Sequence, residues 1–370
     1  MGPMTDTPCP IRLRPALAGV PAYVAGRPAP VIPGLETFKL SSNENPFPPL
    51  PSVLGIIAEA AGRVNRYPDM NNVELIEAIA RFVGVRPTQV AVGPGSVGVL
   101  AQIITATCDP GDEVVFAWRS FEAYPILTQL AGADPVMVPL TANLEHDLPA
   151  MAAAITPRTR VVLLCTPNNP TGPALRHADV EAFVAGVPSD VAVVIDEAYL
   201  EFVSDPAVVD SLPLQRRFPN VIVLRTFSKA YGLAGLRVGY AVAHPTMAEA
   251  LAKTALPFGV NIVAQAAAVG SLGVADELDE RVRIIVSERK RVVAALTRLG
   301  WTLPATQANF VYFPLGVESA AFAAACEASG LVVRRYGDDG VRITIGEPAA
   351  NDRFLTVAEA YLSARRSPHR

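Results

Sequence analysis

Lys229 sits in the block Arg225-Thr-Phe-Ser-Lys-Ala-Tyr-Gly-Leu-Ala-Gly-Leu-Arg-Val-Gly-Tyr240, where an amine, hydroxyls and two guanidinium groups lie close together. The four apolar residues before it, Val221 to Leu224, read as a buried strand of a parallel sheet, which delivers Lys229 into the following turn. An interior ammonium is costly unless it is paired or neutralised. Desolvated beside cations such as Arg225 and Arg237, Lys229 is expected to lose pKa and become a Schiff-base amine. Thr226, Ser228 and Arg237 offer hydroxyls and a guanidinium suited to a phosphate monoester. Ser-Lys by itself would also describe a strand-end loop with a surface lysine; the whole block favours the chemical reading.

An amine that condenses with an aldehyde, ringed by phosphate ligands, describes pyridoxal 5'-phosphate. Gly93-Pro-Gly95-Ser96 joins a strand to a helix, and a helix start offers free N–H groups to a phosphate, so Gly95, Ser96 and Val97 are candidate cofactor contacts. Taken alone this is also a plain tight turn, as is Pro167-Asn-Asn-Pro-Thr-Gly172. Asp196-Glu-Ala-Tyr199 closes the apolar run Val191 to Ile195. A carboxylate there needs a partner: either a pyridinium nitrogen or the N-terminus of the next helix. Together the residues fit one ring. Asp196 would keep the pyridine nitrogen protonated, making the ring an electron sink. Asn169 and Tyr199 would hydrogen-bond its phenolic oxygen, Lys229 would carry its aldehyde carbon, and Ser96, Thr226, Ser228 and Arg237 would hold its phosphate.

The elements that must position these groups alternate. Strands are expected at 90–92, 113–116, 136–138, 161–165, 191–195 and 221–224, with helices such as 73–82, 96–107 and 124–131 between them. That is the pattern of an α/β doubly wound, mainly parallel sheet, which binds ligands at the carboxyl ends of its strands. Residues 1–40 form a Pro- and Gly-rich arm, and 41–275 the large domain. In 276–370 a long charged helix over 277–299 and short strands at 309–313, 331–334 and 341–345 indicate a smaller α+β domain.

The 370 residues exceed one compact core, and with 51% hydrophobic and 18% charged residues there is ample apolar surface to bury. A net charge of -4 without a dense basic run argues against nucleic acid; the basic end, Arg365-Arg366…His369-Arg370, reads as a solvated terminus. Cys9, Cys108, Cys165 and Cys326 are scattered, as are four histidines, so no metal site is expected. Met1 to Pro15 lacks the apolar core of a signal peptide. The uncharged run after Lys253 is broken by Pro257, Asn261 and Gln265, which favours a buried segment over a membrane span. A reducing, cytoplasmic setting is the expectation.

Six ordered segments resemble the fold-type-I pyridoxal-phosphate aminotransferases, in the branch holding the histidinol-phosphate and aromatic amino acid aminotransferases. They are Ser42-Asn-Glu-Asn-Pro46, Arg66-Tyr-Pro-Asp69, Pro167 to Gly172, Asp196 to Tyr199, Arg225 to Tyr240 and Arg342-Ile-Thr344. The resemblance implies that Lys229 is the Schiff-base lysine, Asp196 the ring-nitrogen partner, and Asn169 and Tyr199 the phenolate partners. It implies that Tyr67 reaches the phosphate of a neighbouring subunit in a homodimer with shared sites. Phe121 would stack on the ring, with Tyr124 the other candidate. Arg342 would grip the substrate's anionic end, with Arg334 at its far side, and Tyr23 and Asn43 would line the substrate pocket. Two departures, Val97-Gly98 and Phe116-Ala-Trp-Arg-Ser-Phe-Glu-Ala-Tyr124, resemble the phenylalanine-type branch, although Trp118 could equally be a core residue. The implied reaction is a ping-pong exchange between an aromatic amino acid and 2-oxoglutarate, with histidinol-phosphate transamination as the alternative.

Overall fold

Uninterrupted runs of Val, Ile and Leu make strands that are apolar on both faces, and such strands must be covered on both sides. The computed structural model describes residues 11–366 apart from Ala25, Arg27, Pro30 and Val31; Cys9 with the rest of the first ten residues, and His369 and Arg370, lie outside these. Strands run in the order β1 (Phe38–Lys39), β2 (Val90–Gly93), β3 (Glu113–Trp118), β4 (Asp134–Pro139), β5 (Thr159–Cys165), β6 (Ala192–Asp196), β7 (Val221–Thr226), β8 (Gly239–Val242), β9 (Phe310–Phe313), β10 (Leu331–Val332), β11 (Arg334–Tyr336) and β12 (Gly340–Thr344). The helices before β6 are α1 (Pro51–Ala61), α2 (Val73–Val83), α3 (Gly95–Thr107), α4 (Ala123–Ala131), α5 (Leu148–Ala153) and α6 (His177–Gly186). After it come α7 (Ser211–Arg217), α8 (Pro245–Thr254), α9 (Ile262–Leu272), α10 (Ala275–Leu299), α11 (Ser319–Ala328) and α12 (Pro348–Arg366).

Seven strands form one sheet in the order β2-β8-β7-β6-β5-β3-β4. Strand period two sorts its residues. Val114, Phe116, Leu163, Val194 and Leu224 enter one apolar cluster with Val99 and Ile103 of α3 and Leu251 of α8. Their neighbours Val115, Val162, Val193, Ile195 and Val223 enter another with Phe183 of α6, Leu214 of α7 and Ile79 of α2. The α/β sheet expected from the alternation is therefore present, covered on both faces.

Two expectations change. β8, antiparallel to both β2 and β7, falls where the sequence reads as a glycine-rich turn. Gly239 is in that strand because a Cβ would lie 2.3 Å from the Ser96 backbone nitrogen, so only glycine lets β8 pass beneath the start of α3. The single strand expected at 331–334 is two. β10 pairs in parallel with β1, tying the arm to this part of the chain, whereas β11 turns away to pair with β12. The antiparallel β11-β12-β9 sheet is backed by Val292 and Leu296 of α10 and Phe354 of α12. The run after Lys253 becomes a break and α9, which packs on α1 and α2. Among the described residues no helix is long and apolar enough to cross a membrane.

Arg289 of α10 is 3% exposed and caps two loops, donating to the carbonyls of Phe202 (2.9 Å) and Ala308 (3.0 Å) and to Ser204 Oγ (3.2 Å). Its partners are neutral, and burial lowers its pKa to about 10. Arg289→Met would leave these buried acceptors unpaired, at about 1–3 kcal/mol each. Its thermal midpoint should fall by several degrees, whereas exposed Lys290→Ala should leave the midpoint unchanged in the same calorimetric comparison.

Candidate active site

The carboxyl ends of β5, β6 and β7 open into a cavity of about 250 Å³. Residues from stretches far apart in sequence line it, among them Ser96, Asn169, Asp196, Lys229, Arg237 and Arg342. Asp196 shares strand parity with Val194 and so sits on the α3/α4 face of the sheet. There the Tyr124 hydroxyl, from α4, donates to its Oδ2 at 2.7 Å. Oδ1 is buried without a partner. Burial raises the Asp196 pKa to about 6, with the Tyr124 bond acting against the shift. A buried carboxylate oxygen of this kind calls for a proton donor from a ligand.

Lys229 lies in the turn after β7, which Asn45 pins by donating to the carbonyls of Lys229 (3.3 Å) and Ala230 (2.8 Å). Its Nζ donates to the Ser42 carbonyl at 3.0 Å and stands 5.8 Å from the Tyr199 ring centre. Burial, then the Arg342 guanidinium, lowers its pKa to about 7, with Arg237 and Lys39 adding to the effect and Glu44 opposing it. The expected depression is present, but Arg225 is not among its main causes. The Arg225 side chain instead pairs with buried Glu197 at 2.8 Å, and Glu197 also accepts from Ser211 Oγ at 2.6 Å. The charge that acts in its place, Arg342, comes from more than a hundred residues further along and is brought in by β12.

Beside Lys229 the polar groups converge as a cup. Arg237 donates to Ser228 Oγ at 3.3 Å, and Thr226 Oγ1 lies 3.0 Å from the same atom. Gly95, at φ +77°, opens α3; a Cβ there would lie 2.5 Å from Arg237 Nη2, so the guanidinium lies directly against the helix start. Val97 and Ser96 line the cavity above it. Backbone N–H groups, hydroxyls and a guanidinium are the donor set a phosphate requires. With Asp196 Oδ1 unpartnered and a depressed amine nearby, the residues present fit pyridoxal 5'-phosphate.

The opposite wall comes from the C-terminal sheet. Arg334 and Arg342 are direct cross-strand partners, so their side chains share one face with Tyr336, two residues from Arg334. Arg342 donates to Asn169 Oδ1 and, at 2.6 Å, to the Ser41 carbonyl; its Nε is buried and unpartnered. Arg334 is paired with Glu122 at 2.6 Å. Asn43 donates to the Tyr199 hydroxyl at 2.9 Å and is locked by Thr344, so its amide positions Tyr199. Phe121 lines the cavity with Tyr23 packed edge-on at 6.5 Å, while Tyr124 lies behind with its hydroxyl on Asp196. Tyr67 is 81% exposed, lies against Phe258 and is outside the cavity. Sequence reasoning missed Glu122, Tyr336 and the Tyr124–Asp196 bond. The signals were present for two of them: Tyr336 is at strand spacing from Arg334, and Glu122 directly follows Phe121.

Residues 36–357 match the family described as aminotransferase class I and II. An aromatic amino acid aminotransferase of Streptomyces avermitilis is 57% identical over 350 residues, 95% of this chain and 97% of that protein. One of Thermobifida fusca is 56% identical over 349 residues, 94% of this chain and 97% of that protein. Among solved structures, histidinol-phosphate aminotransferase of Sinorhizobium meliloti, in complex with pyridoxal 5'-phosphate, has a TM-score of 0.86 at 29% identity and covers 96% of this chain and 98% of its own. Aspartate aminotransferase of Thermotoga maritima, at TM-score 0.80 and 24% identity over 89% of this chain and 92% of its own, shares the fold.

With its amine depressed to about pH 7, Lys229 should be largely neutral at pH 8. In cofactor-free protein its acylation by a small anhydride, followed peptide by peptide, should rise with pH through a midpoint near 7. A midpoint close to that of an ordinary lysine, about 10.4, would contradict the geometry.

Proposed function

Because the chain belongs to the class I and II aminotransferases and is a transaminase, we propose that it moves the amino group of aromatic amino acids, phenylalanine above all, to 2-oxoglutarate on pyridoxal 5'-phosphate. The observation that carries the substrate reading is the balance of charge in the cavity. Arg237 and Arg342 are hydrogen-bonded to neutral groups, which suits two ligand anions: the cofactor's phosphate and the substrate's carboxylate. The remaining wall is Tyr23, Phe121 and Tyr336, with Arg334 already matched by Glu122, which suits a neutral aromatic side chain. The relatives from Streptomyces and Thermobifida, at 56–57% identity, carry the same aromatic designation, whereas the histidinol-phosphate enzyme of Sinorhizobium stands at 29%.

In this reading Gly95, Ser96, Val97, Thr226, Ser228 and Arg237 hold the phosphate. Asp196 Oδ1 would accept a hydrogen bond from the protonated ring nitrogen, with Tyr124 fixing the carboxylate. Asn169 and Tyr199 bond the phenolic oxygen, Phe121 covers the ring, and Lys229 is the point of covalent attachment. When bound, the protonated ring withdraws electrons from the bond between the substrate's Cα and its hydrogen. Arg342 holds the substrate carboxylate and so orients that bond. Once the substrate's amine has displaced it, the freed Lys229 amine, neutral above about pH 7, would take the proton from Cα and return it on the other side of the exchange. Burial of Asp196, Asn169, Tyr199 and Arg342 strengthens each charged contact.

The active form is a homodimer in which Tyr67, exposed and outside its own cavity, reaches the partner's phosphate. Residues 41–275 serve as the cofactor-binding domain and 276–370 as the smaller one; of the arm over 1–40, Phe38–Lys39 pair with β10 of the latter, whereas Arg14 donates to the Leu130 carbonyl of the former.

Borohydride reduction of the holoenzyme should fix a pyridoxyl group on the Lys229 peptide, and label on Lys253 or Lys290 instead would defeat the assignment. With 2-oxoglutarate as acceptor, kcat/KM for phenylalanine should exceed that for histidinol phosphate by tenfold or more; the reverse order would reinstate the alternative. Mixing Tyr67→Phe with Lys229→Ala chains should yield more activity than either homodimer, whereas a fully active monomer in sedimentation would refute shared sites.

A further inference from the structure

Two arginines placed directly opposite each other on neighbouring strands repel. Arg334 and Arg342 are such a pair, and both guanidinium groups lie over the Tyr336 ring, 5.5 and 5.6 Å from its centre. Nearby, Arg119 is paired with Asp339 at 2.5 Å and also lies 5.9 Å from that ring. The three differ in compensation. Arg119 and Arg334 each have a carboxylate, whereas the hydrogen-bond partners of Arg342 are an amide oxygen and a backbone carbonyl. The acid on Arg334 is not part of the C-terminal sheet. It is Glu122, at the start of α4, in the segment that also places Phe121 against the cavity and Tyr124 on Asp196. At side-chain exposures of 12% and 28% the pair is too sheltered to be treated as a solvated surface contact.

We propose that Glu122 is a specificity-determining residue, a built-in counter-anion that occupies Arg334 until a substrate brings an acidic group of its own. This deepens the transaminase reading and rests on it. A neutral aromatic side chain enters with the Glu122–Arg334 pair closed. An acidic side chain must displace Glu122, exchanging one carboxylate for another at Arg334 while leaving a second carboxylate partly desolvated. The exchange gives little net gain, because the attraction to Arg334 is already satisfied. Acidic donors are therefore handicapped without any steric block, and 2-oxoglutarate is accepted at a weaker affinity than an unpaired arginine would give. Discrimination here comes from an internal competitor rather than from a missing contact.

The test is the donor half-reaction of the holoenzyme, followed by cofactor absorbance after mixing with phenylalanine or with glutamate. Each donor's rate divided by its apparent Kd is measured in wild type and Glu122→Gln, and the phenylalanine-to-glutamate ratio cancels any inactive fraction. We expect Glu122→Gln to move that ratio at least fivefold toward glutamate, mainly through apparent Kd, and Glu122→Asp to bring it back. In an Arg334→Met background, Glu122→Gln should no longer move it. A ratio that stays within fivefold, with both donors slowed alike, would make Glu122 merely a support for α4 and overturn the proposal, as would a shift toward phenylalanine. Failure of the underlying reading is a separate result: wild-type holoenzyme would then transfer no amino group from phenylalanine to 2-oxoglutarate at all.

Discussion

Lys229, Arg237 and Arg342 gather positive charge at one edge of a sheet whose interior is almost entirely Val, Ile and Leu, and much of the architecture follows from containing that charge. Charge of one sign is costly in a low-dielectric site unless something balances it. Here part of the cost is met by holding the lysine near neutrality, and part by carbonyl and amide oxygens: Ser42 for Lys229, Ser41 and Asn169 for Arg342, Ala234 and Ser228 for Arg237. The residual demand is for anions, which is what a phosphorylated cofactor and an amino acid substrate bring.

Carboxylates in the same region are assigned selectively. Glu197 neutralises Arg225 within the sheet, and Asp339 and Glu122 neutralise Arg119 and Arg334 at the far wall. Asp196 is reserved, bonded to a tyrosine on one oxygen and unpartnered on the other. An Asp196 paired to one of the nearby arginines would lose its attraction for a protonated ring nitrogen. Directing Arg225 to Glu197 through a buried 2.8 Å contact keeps that cation off Asp196, as the proposed ring-nitrogen role would require.

The cavity's two halves come from unlike scaffolds. One half stands at the strand ends of a doubly covered sheet, where side chains are held by rigid elements and close packing. The other is the small antiparallel sheet, whose pleat places Arg334, Tyr336 and Arg342 on a common face. The segment 41–45 joins the halves: Ser41 to Arg342, Ser42 to Lys229, Asn43 to Tyr199 and Thr344, Asn45 to the lysine turn. This explains why Ser41 and Asn43 are buried in a stretch with no secondary structure of its own.

The sequence by itself determined the α/β alternation, strands expected to end at 92, 165, 195 and 224 that do end within two residues of those positions, and the aminotransferase family, because apolar periodicity and motif chemistry are local properties. It also identified Lys229 as a depressed amine, since burial at a strand end follows from local pattern. Which cation acts on that amine was decided only by tertiary structure: Arg225 and Arg237 are near in sequence, yet Arg342, far along the chain, contributes the larger effect and Arg225 turns to Glu197. The same holds for β8, whose glycines read as a turn until α3 is seen to press on Gly239, and for the split of 331–334 between β1 and β12. The pairing of Glu122 with Arg334 spans 212 residues, and the Tyr124–Asp196 bond 72. Hydrogen bonds and ion pairs depend on distances of an ångström or less, which only the packed chain fixes; residue types are written locally, but their partners are chosen by the fold.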